Sequence, residues 1–349
     1  MSDTTRRREI VSPYTVLTLP IYARLYRRSF RSGLAEKIPY VARMLSRVMF
    51  YAMGFFGSKP AYGTFSLKVG QHDKIIRFDA RNRQFSALYF ATFLPIYEPD
   101  VTLLITEFMP PRGVFYDIGS NWGFFSLFLA SREDFLGRIH AFEPWPSSYH
   151  DLESMVMQAE LENVITHHNL ALGEYRGQVS MRCGRHSGEA KIVDGAKDNI
   201  VRQETLDSLE LEGPDFMKID VEDAEASVLR GGTRILDRKR PLIVIEFKRD
   251  NDGSTSTDVL TVFEEHQYEL YYPIVSQENS NTWSLELLPL SRVPKDRLDY
   301  RCNLFASPRE QIGTLERYIA DPNEAKGVKL ELALSFYLFS SYLALVPVL

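Results

Sequence analysis

The sequence predicts an α/β protein: a doubly wound, mostly parallel sheet with helices on its faces, preceded by a helical and hairpin N-terminal segment. Three observations carry this. From residue 113 onward, short β-rich runs alternate with segments of helical period, the pattern of strands covered on both faces. A glycine-containing turn follows the first of these strands directly and opens an apolar helix. The 349 residues are 44% hydrophobic and 25% charged, enough for one large or two small globular domains, which excludes wholesale disorder and fibrous classes.

Taken in order, residues 1–60 form a basic, aromatic extension, with Val41, Leu45, Val48, Met49 and Met53 at helical spacing between Leu34 and Phe56. A pre-sheet unit, 61–112, follows. Alternation in Thr64–Val69 and Lys74–Phe78 predicts a hairpin turned at Gln71-His72-Asp73, and Tyr97–Phe108 reads as a helix opening after Glu98-Pro99-Asp100. The main domain, 113–310, has strands expected at 113–118, 138–143, 163–168, 214–220, 241–247, 268–273 and 301–306. Helices are expected at 122–131, 147–160, 223–236 and 257–266. The glycine-broken stretch 169–205 reads as hairpins laid over one edge. Residues 311–349 form a C-terminal helical segment with an apolar tail.

Charge excludes one class of partner. With 46 acidic against 41 basic residues, the net charge is −5, so no overall basic field exists to hold nucleic acid. The ends depart from the average. Residues 1–50 carry a local charge of +7, and Leu332–Leu349 is without charge. The head offers a surface for an anionic membrane, or a solvated arm. The tail is slightly short of the roughly 20 residues of a bilayer span, so it reads as a membrane anchor or as a terminal helix packed on the domain. Cys183 and Cys302 stand alone, and no secretory signal reads at the N-terminus, which makes a reducing, cytoplasmic setting the default.

The sharpest chemical signal is Val114-Phe115-Tyr116-Asp117-Ile118-Gly119-Ser120-Asn121-Trp122-Gly123. Such a strand, turn and helix lets a ligand approach the backbone and aims helix N–H groups at a negative group, while Asp117 at the strand end suits a cationic one. The missing third glycine argues against a pyrophosphate ligand and against a nicotinamide oxidoreductase. One strand later, Glu143 is placed to accept hydrogen bonds from both ribose hydroxyls of a nucleoside. A second dense region, Lys218-Ile219-Asp220-Val221-Glu222-Asp223-Ala224-Glu225, puts Lys218, Asp220 and Glu222 on the crevice side of a strand end. Asp223 and Glu225 fall in the first turn of the next helix, where its dipole favours carboxylates. Glu246 ends the next strand and is a candidate partner for Lys218.

Together with Tyr97-Glu98-Pro99-Asp100, Asn169-Leu170-Ala171-Leu172-Gly173 and Thr205-Leu206-Asp207, these blocks resemble the FkbM family of S-adenosylmethionine-dependent methyltransferases, over about 97–250. The resemblance implies a class I, Rossmann-like fold with a seven-stranded sheet whose last strand is antiparallel. It implies S-adenosyl-L-methionine as cofactor, with Asp117, Gly119, Asn121 and Gly123 around its methionine part and Glu143 at the ribose. Asp220 and Glu246 would lie at the acceptor site. The family's usual glycine after the acidic pair is Asp223 here, which would narrow or recharge the entrance.

Methyl transfer to a sugar-type hydroxyl needs positioning and a general base. Asp220 is the expected base, with Glu246 second and Lys218 orienting or tuning the carboxylates. The acceptor is expected to be a saccharide or secondary-metabolite hydroxyl. No metal is expected: a divalent ion on Asp220, Glu222, Glu225 and Glu246 competes with this reading, but strand alternation would send neighbouring carboxylates apart. The alternative function is a catalytically inactive methyltransferase-fold module kept for binding or scaffolding.

Overall fold

The computed structural model describes residues 7–20, 61–80, 82–89, 96–183, 190–193, 199–248, 257–279, 281–294 and 301–320. The expected helix between Leu34 and Phe56 and the apolar tail 332–349 lie outside them. Among the described residues, no helix is long and apolar enough to cross a membrane.

The chain begins with β1 (Arg7–Glu9) and β2 (Tyr14–Thr18), then the hairpin β3 (Tyr62–Val69) and β4 (His72–Asp79). The hairpin pairs Val69 with His72, so its turn is Gly70-Gln71, one residue earlier than the sequence suggested. Gly70 takes φ +56, a left-handed geometry that glycine adopts at no steric cost. β2 adds to this hairpin as a three-stranded sheet.

Helix α1 (Pro99–Phe108) leads into the alternating region: β5 (Val114–Ile118), α2 (Phe124–Ala130), β6 (Arg138–Phe142), α3 (Pro146–Ala159) and β7 (Ile165–His168). The short strands β8 (Ala171–Leu172), β9 (Gly177–Arg182), β10 (Lys191–Ile192) and β11 (Ile200–Glu204) form a separate four-stranded sheet. The main sheet then resumes with β12 (Phe216–Ile219) and β13 (Leu242–Lys248). It closes with β14 (Tyr268–Gln277), β15 (Thr282–Pro289) and β16 (Arg301–Pro308).

The strand order β1-β15-β14-β16-β13-β12-β5-β6-β7 defines an α/β, Rossmann-like sheet. β7, β6, β5, β12 and β13 are mutually parallel, and β16, the last strand, runs antiparallel between β13 and β14. These are the seven strands expected. Two more extend the edge: β15, whose Trp283, Leu285 and Leu287 alternate inward, and β1 from the far N-terminus.

Alternation divides the core. On β12 and β13, Phe216 and Val244 point into the cluster containing the side chains of α1, α2 and α3, whereas Met217, Ile243 and Ile245 point into a second cluster. Each fully buried side chain of this size contributes about 1.5–3 kcal/mol. The second face is covered by α4 (Glu225–Arg230), α5 (Thr233–Arg238) and α6 (Thr257–Glu265).

The single helix expected at 223–236 is therefore two. Gly231 and Gly232 break it because the chain approaches too closely for side chains: a Cβ on Gly231 would lie 2.1 Å from the Gly173 carbonyl oxygen, and one on Gly232 2.8 Å from Leu206. Asp207 makes the second start possible, accepting hydrogen bonds from the Arg234 and Ile235 amides at 2.8 and 3.1 Å.

Candidate active site

The strand order reverses between β5 and β12, and open α/β sheets bind ligands beyond the carboxyl ends of the strands at such a point. Asp117 and Lys218 are direct cross-strand neighbours there. Both are buried, with Lys218 Nζ 4.0 Å from Asp117 Oδ1 and 3.2 Å from Asp220 Oδ2. The ammonium also lies 5.3 Å from the centre of the Phe125 ring. Asp220, Asp117 and Glu98 raise the Lys218 pKa against the opposing effect of burial, so it stays charged.

The turn after β5 is built by close contacts within the chain. Gly119 has φ +76, and a Cβ there would lie 1.8 Å from the Asp220 carbonyl oxygen. Gly123 has φ +87, with the added Cβ 2.6 Å from Leu152. The fold itself thus requires Gly119 by a backbone contact, and favours glycine at position 123 by its left-handed φ, apart from any ligand's approach. The turn amides are also engaged. Gly119 and Ser120 N–H both donate to the Phe142 carbonyl at 3.0 Å, and Gly123 N–H donates to Ser120 at 2.8 Å. These three turn amides are therefore spent within the chain, and the expectation of N–H groups aimed at a negative group falls on the first turn of α2, which they precede.

What the turn leaves over is acceptors. Asp117 Oδ1, Ser120 Oγ and Asn121 Oδ1 are buried without a hydrogen-bond partner among the described residues. The other Asp117 oxygen accepts from Ser126 Oγ at 2.7 Å. A ligand suited to these atoms donates hydrogen bonds and carries positive charge, as an ammonium group does.

Glu143 is buried beside the turn, its two carboxylate oxygens accepting from the Asn121 amide at 2.8 Å and the Trp145 amide at 2.7 Å. Burial pushes its pKa up to about 7, the two amides opposing that rise. These bonds fix the carboxylate's orientation and leave each oxygen a second lone pair for a hydroxyl donor. Trp122 anchors the turn from outside, packed against Phe85 at 4.8 Å, Tyr14 at 6.2 Å and Phe65 at 6.4 Å between ring centres.

On the other side of Lys218 is a network of charges. Glu246 was a candidate partner for Lys218. It instead pairs with the Arg301 guanidinium, while its other oxygen lies 3.5 Å from Lys248 Nζ. Lys248 also holds Glu222 at 2.8 Å and Asp223 at 2.9 Å, and Arg301 reaches Glu222 at 2.6 Å. Burial, then Asp220, pushes Glu246 up to about 8 against Arg301. Asp220 goes the other way: burial raises it, but Lys218 and then Arg301 outweigh that and hold it below the usual carboxylate range.

The argument that alternation would separate these carboxylates does not hold, because β12 ends at Ile219. Glu222 and Asp223 take left-handed φ values of +52 and +76, and ligand atoms of Asp220, Glu222 and Glu246 converge within 4.8 Å. Lys218 pairs with Asp220, and Lys248 and Arg301 pair with Glu222 and Glu246, so each member of that cluster has a cation beside it. Asp223 stands before α4 rather than in its first turn, and its carboxylate pairs with Lys248 and, at 3.3 Å, with Lys191. Glu225 does open α4, accepting from the Val221 amide at 3.3 Å.

Three participants were not assigned from the sequence. Arg301 and Asn303 arrive from β16, far along the chain, with no local signal. Glu98 stood in a quoted motif but without a role. It precedes α1 in a left-handed conformation, and burial followed by the Asp220 charge pushes it up to about 7, with Lys218 opposing. Farther off, His168 Nε2 and His140 Nδ1 are 3.1 Å apart, and burial, then His140, lowers His168 to about 4. His167 meets the Tyr149 hydroxyl at 2.9 Å, so both histidines have ring partners and neither is fully exposed.

Residues 114–270 match the Methyltransferase FkbM domain family. No curated protein matches the chain. Among solved structures, the methyltransferase FkbM of Methylobacillus flagellatus KT is 16% identical, with 60% of this chain and 48% of that one covered at a TM-score of 0.38. The S-adenosylmethionine-dependent O-methyltransferase of Thermotoga maritima is 10% identical, covering 70% and 77%, at 0.35. The precorrin-6y C5,15-methyltransferase of Geobacter metallireducens is 13% identical, covering 63% and 91%, at 0.36. The chain thus spans about half the length of the Methylobacillus protein.

Proposed function

Because residues 114–270 belong to the Methyltransferase FkbM domain family, we propose that the protein is an S-adenosylmethionine-dependent methyltransferase acting on a hydroxyl of a saccharide or secondary metabolite. The observation that carries the cofactor assignment is the set of buried, unpartnered acceptors around the β5 turn, Asp117 Oδ1, Ser120 Oγ and Asn121 Oδ1. They suit the ammonium of a methionine moiety, whereas to a pyrophosphate they offer the Ser120 hydroxyl as their one donor, beside the Asp117 carboxylate. Asp117, Gly119, Asn121 and Gly123 would hold that moiety, and Glu143 the ribose hydroxyls. When bound, the cofactor supplies a methyl group made electrophilic by its sulfonium.

The chain's own residues do the rest. Asp117 meets the cationic end of the ligand, and Lys218 keeps Asp117 from being an isolated buried charge. Asp220, on the acceptor side, is a fixed anion held by Lys218, and Glu246 is tied beside it to Arg301 and Lys248. Such a fixed field favours the positive charge that passes through the site and costs no reorganisation during transfer. Positioning the hydroxyl in line with the leaving sulfur turns the encounter into an effectively unimolecular step.

Calorimetric titration tests the reading. S-adenosylmethionine and its demethylated product should bind the purified protein, and Asp117→Ala and Glu143→Ala should each weaken both. Tritium from the labelled methyl group should then enter a neutral polyhydroxyl product. A wild-type protein that binds neither nucleoside overturns the proposal.

A further inference from the structure

We propose that Glu98 is the carboxylate that takes the proton from the acceptor's hydroxyl, an inference that rests on the methyltransferase reading and moves the base from Asp220 to the start of α1. Among the described residues, four of the eight non-glycine residues with positive φ, namely Glu98, Asn121, Glu222 and Asp223, border this one site, and Glu98 is among them with φ 40 and ψ 72. Strained backbone persists only where its surroundings hold it, and it concentrates at functional sites.

The surroundings of Glu98 do hold it. The Thr102 amide donates to the Glu98 carbonyl at 2.9 Å, and the Thr102 hydroxyl donates to the Tyr97 carbonyl at 2.8 Å. Asp100 is tied to β16 by Asn303 at 2.9 Å. The Tyr97 ring packs on Phe124 and Phe125, and it is over Phe125 that the Lys218 ammonium lies. Glu98 is thereby brought to the Asp220–Lys218 pair while remaining half-buried and open to a ligand.

The groups facing it are Tyr97 and Asp100 from its own segment, Asp220 and Lys218 from the end of β12, and, near Tyr97, Arg301 from β16. Among the described residues, Asp220 and Glu246 are ion-paired to cations and Glu98 is not. Lys218 and Arg301 hold Asp220 below the usual carboxylate range, so it serves as a fixed anion, while the Glu246 oxygens are engaged by Arg301 and Lys248 and not free to face an acceptor, which leaves Glu98 as the proton acceptor. Its rise to about 7 places it where a general base is most effective near neutral pH.

The step balances. The acceptor oxygen loses its proton to Glu98 and uses the freed electron pair to bond the methyl carbon. The carbon–sulfur pair stays on sulfur, which becomes neutral, and Glu98 then returns the proton to solvent.

The test uses the full chain labelled with 13C at the glutamate carboxyl, with no cofactor present. Two glutamate carboxyl resonances, those of Glu98 and Glu143, should titrate near pH 7; one of them should vanish in Glu98→Gln and titrate at lower pH in Asp220→Asn, where a neighbouring negative charge is gone, and the other should vanish in Glu143→Gln. In a tritiated methyl-transfer assay on a small-molecule extract, Glu98→Gln should lose about 10²–10⁴-fold in kcat, with the calorimetric affinity for S-adenosylmethionine unchanged. The rising limb of the pH–rate profile near 7 should disappear, and Glu98→Asp should restore part of the rate. A Glu98 resonance titrating in the ordinary carboxylate range, or a Glu98→Gln protein with wild-type turnover, overturns the inference. Failure of the wild type to bind S-adenosylmethionine overturns the parent reading instead, and the two failures are separately visible.

Discussion

Gly119 lies so close to Asp220 that a Cβ on the glycine would stand 1.8 Å from the Asp220 carbonyl oxygen. The turn proposed to hold the cofactor and the strand end proposed to face the acceptor are thus a single packed unit. Gly119→Ala adds this backbone clash to an unfavourable φ of +76. It is expected to cost about 2–5 kcal/mol, measured by urea denaturation, and to abolish S-adenosylmethionine binding. An alanine variant of unchanged stability would show that the two segments can move apart.

Lys218 is the buried cation between Asp117 and Asp220, and its removal leaves them without it. Lys218→Met should destabilise the protein by about 3–5 kcal/mol at neutral pH. Loss of the positive charge also raises the pKa of Glu98, so any remaining methyl transfer should have its pH profile displaced upward. A profile that stays in place would contradict the role given to Lys218.

Folded-state pKa values near 7 for Glu98 and Glu143, and near 8 for Glu246, against an ordinary 4.5, fix the sign of a stability change. Between 4.5 and those values these three groups bind more protons in the folded protein than in the unfolded chain, so their contribution is greatest below about 4.5 and is lost as pH rises through 7 and 8, whereas His168, lowered to about 4 from 6.5, acts in the opposite sense below about 6.5. Carboxylates with depressed values, such as Asp220 and Asp223, act below that window, where they lose stability as pH falls. The cofactor-free protein should therefore show a Tm that declines between about pH 6.5 and 8, above the range where the histidines act, and Glu143→Gln should reduce the decline. A Tm rising over that range would sink the assignment.

Asp223 occupies a position with φ +76, which explains structurally why a glycine there is the easier choice. Its carboxylate is half-exposed and pairs with Lys248 and Lys191. Asp223→Gly should keep stability within about 1 kcal/mol, relief of backbone strain offsetting an exposed ion pair. Because Lys248 would then bear on fewer carboxylates, the Glu246 titration should move to lower pH, as 13C NMR would reveal.

The sheet was legible because its signals are local. Buried runs such as Leu242–Lys248 and the turn Gly119–Gly123 announce themselves through composition and spacing, and the carboxylates Asp117, Glu143 and Asp220 sit where strands end. What escaped depends on contacts between distant segments. Gly231 and Gly232 break a helix because Gly173 and Leu206 lie against them. Glu246 chooses Arg301 over Lys218 because of the β13–β16 register, which pairs Lys248 with Arg301 and Glu246 with Asn303. β15 did carry a readable alternation in Trp283, Leu285 and Leu287, whereas three-residue β1 is too short for any period to declare it.

β1 also has a consequence for handling the protein. Arg7–Glu9 pair with Thr282–Ser284 along the outer side of β15, and Arg8 is held by Glu107 of α1. Without those residues, part of a strand edge would present free amides and carbonyls to any passing chain, the usual template for edge-to-edge aggregation. The N-terminal residues act as a seal on the sheet, and an expression variant trimmed to begin after residue 10 should self-associate at concentrations where the full chain does not.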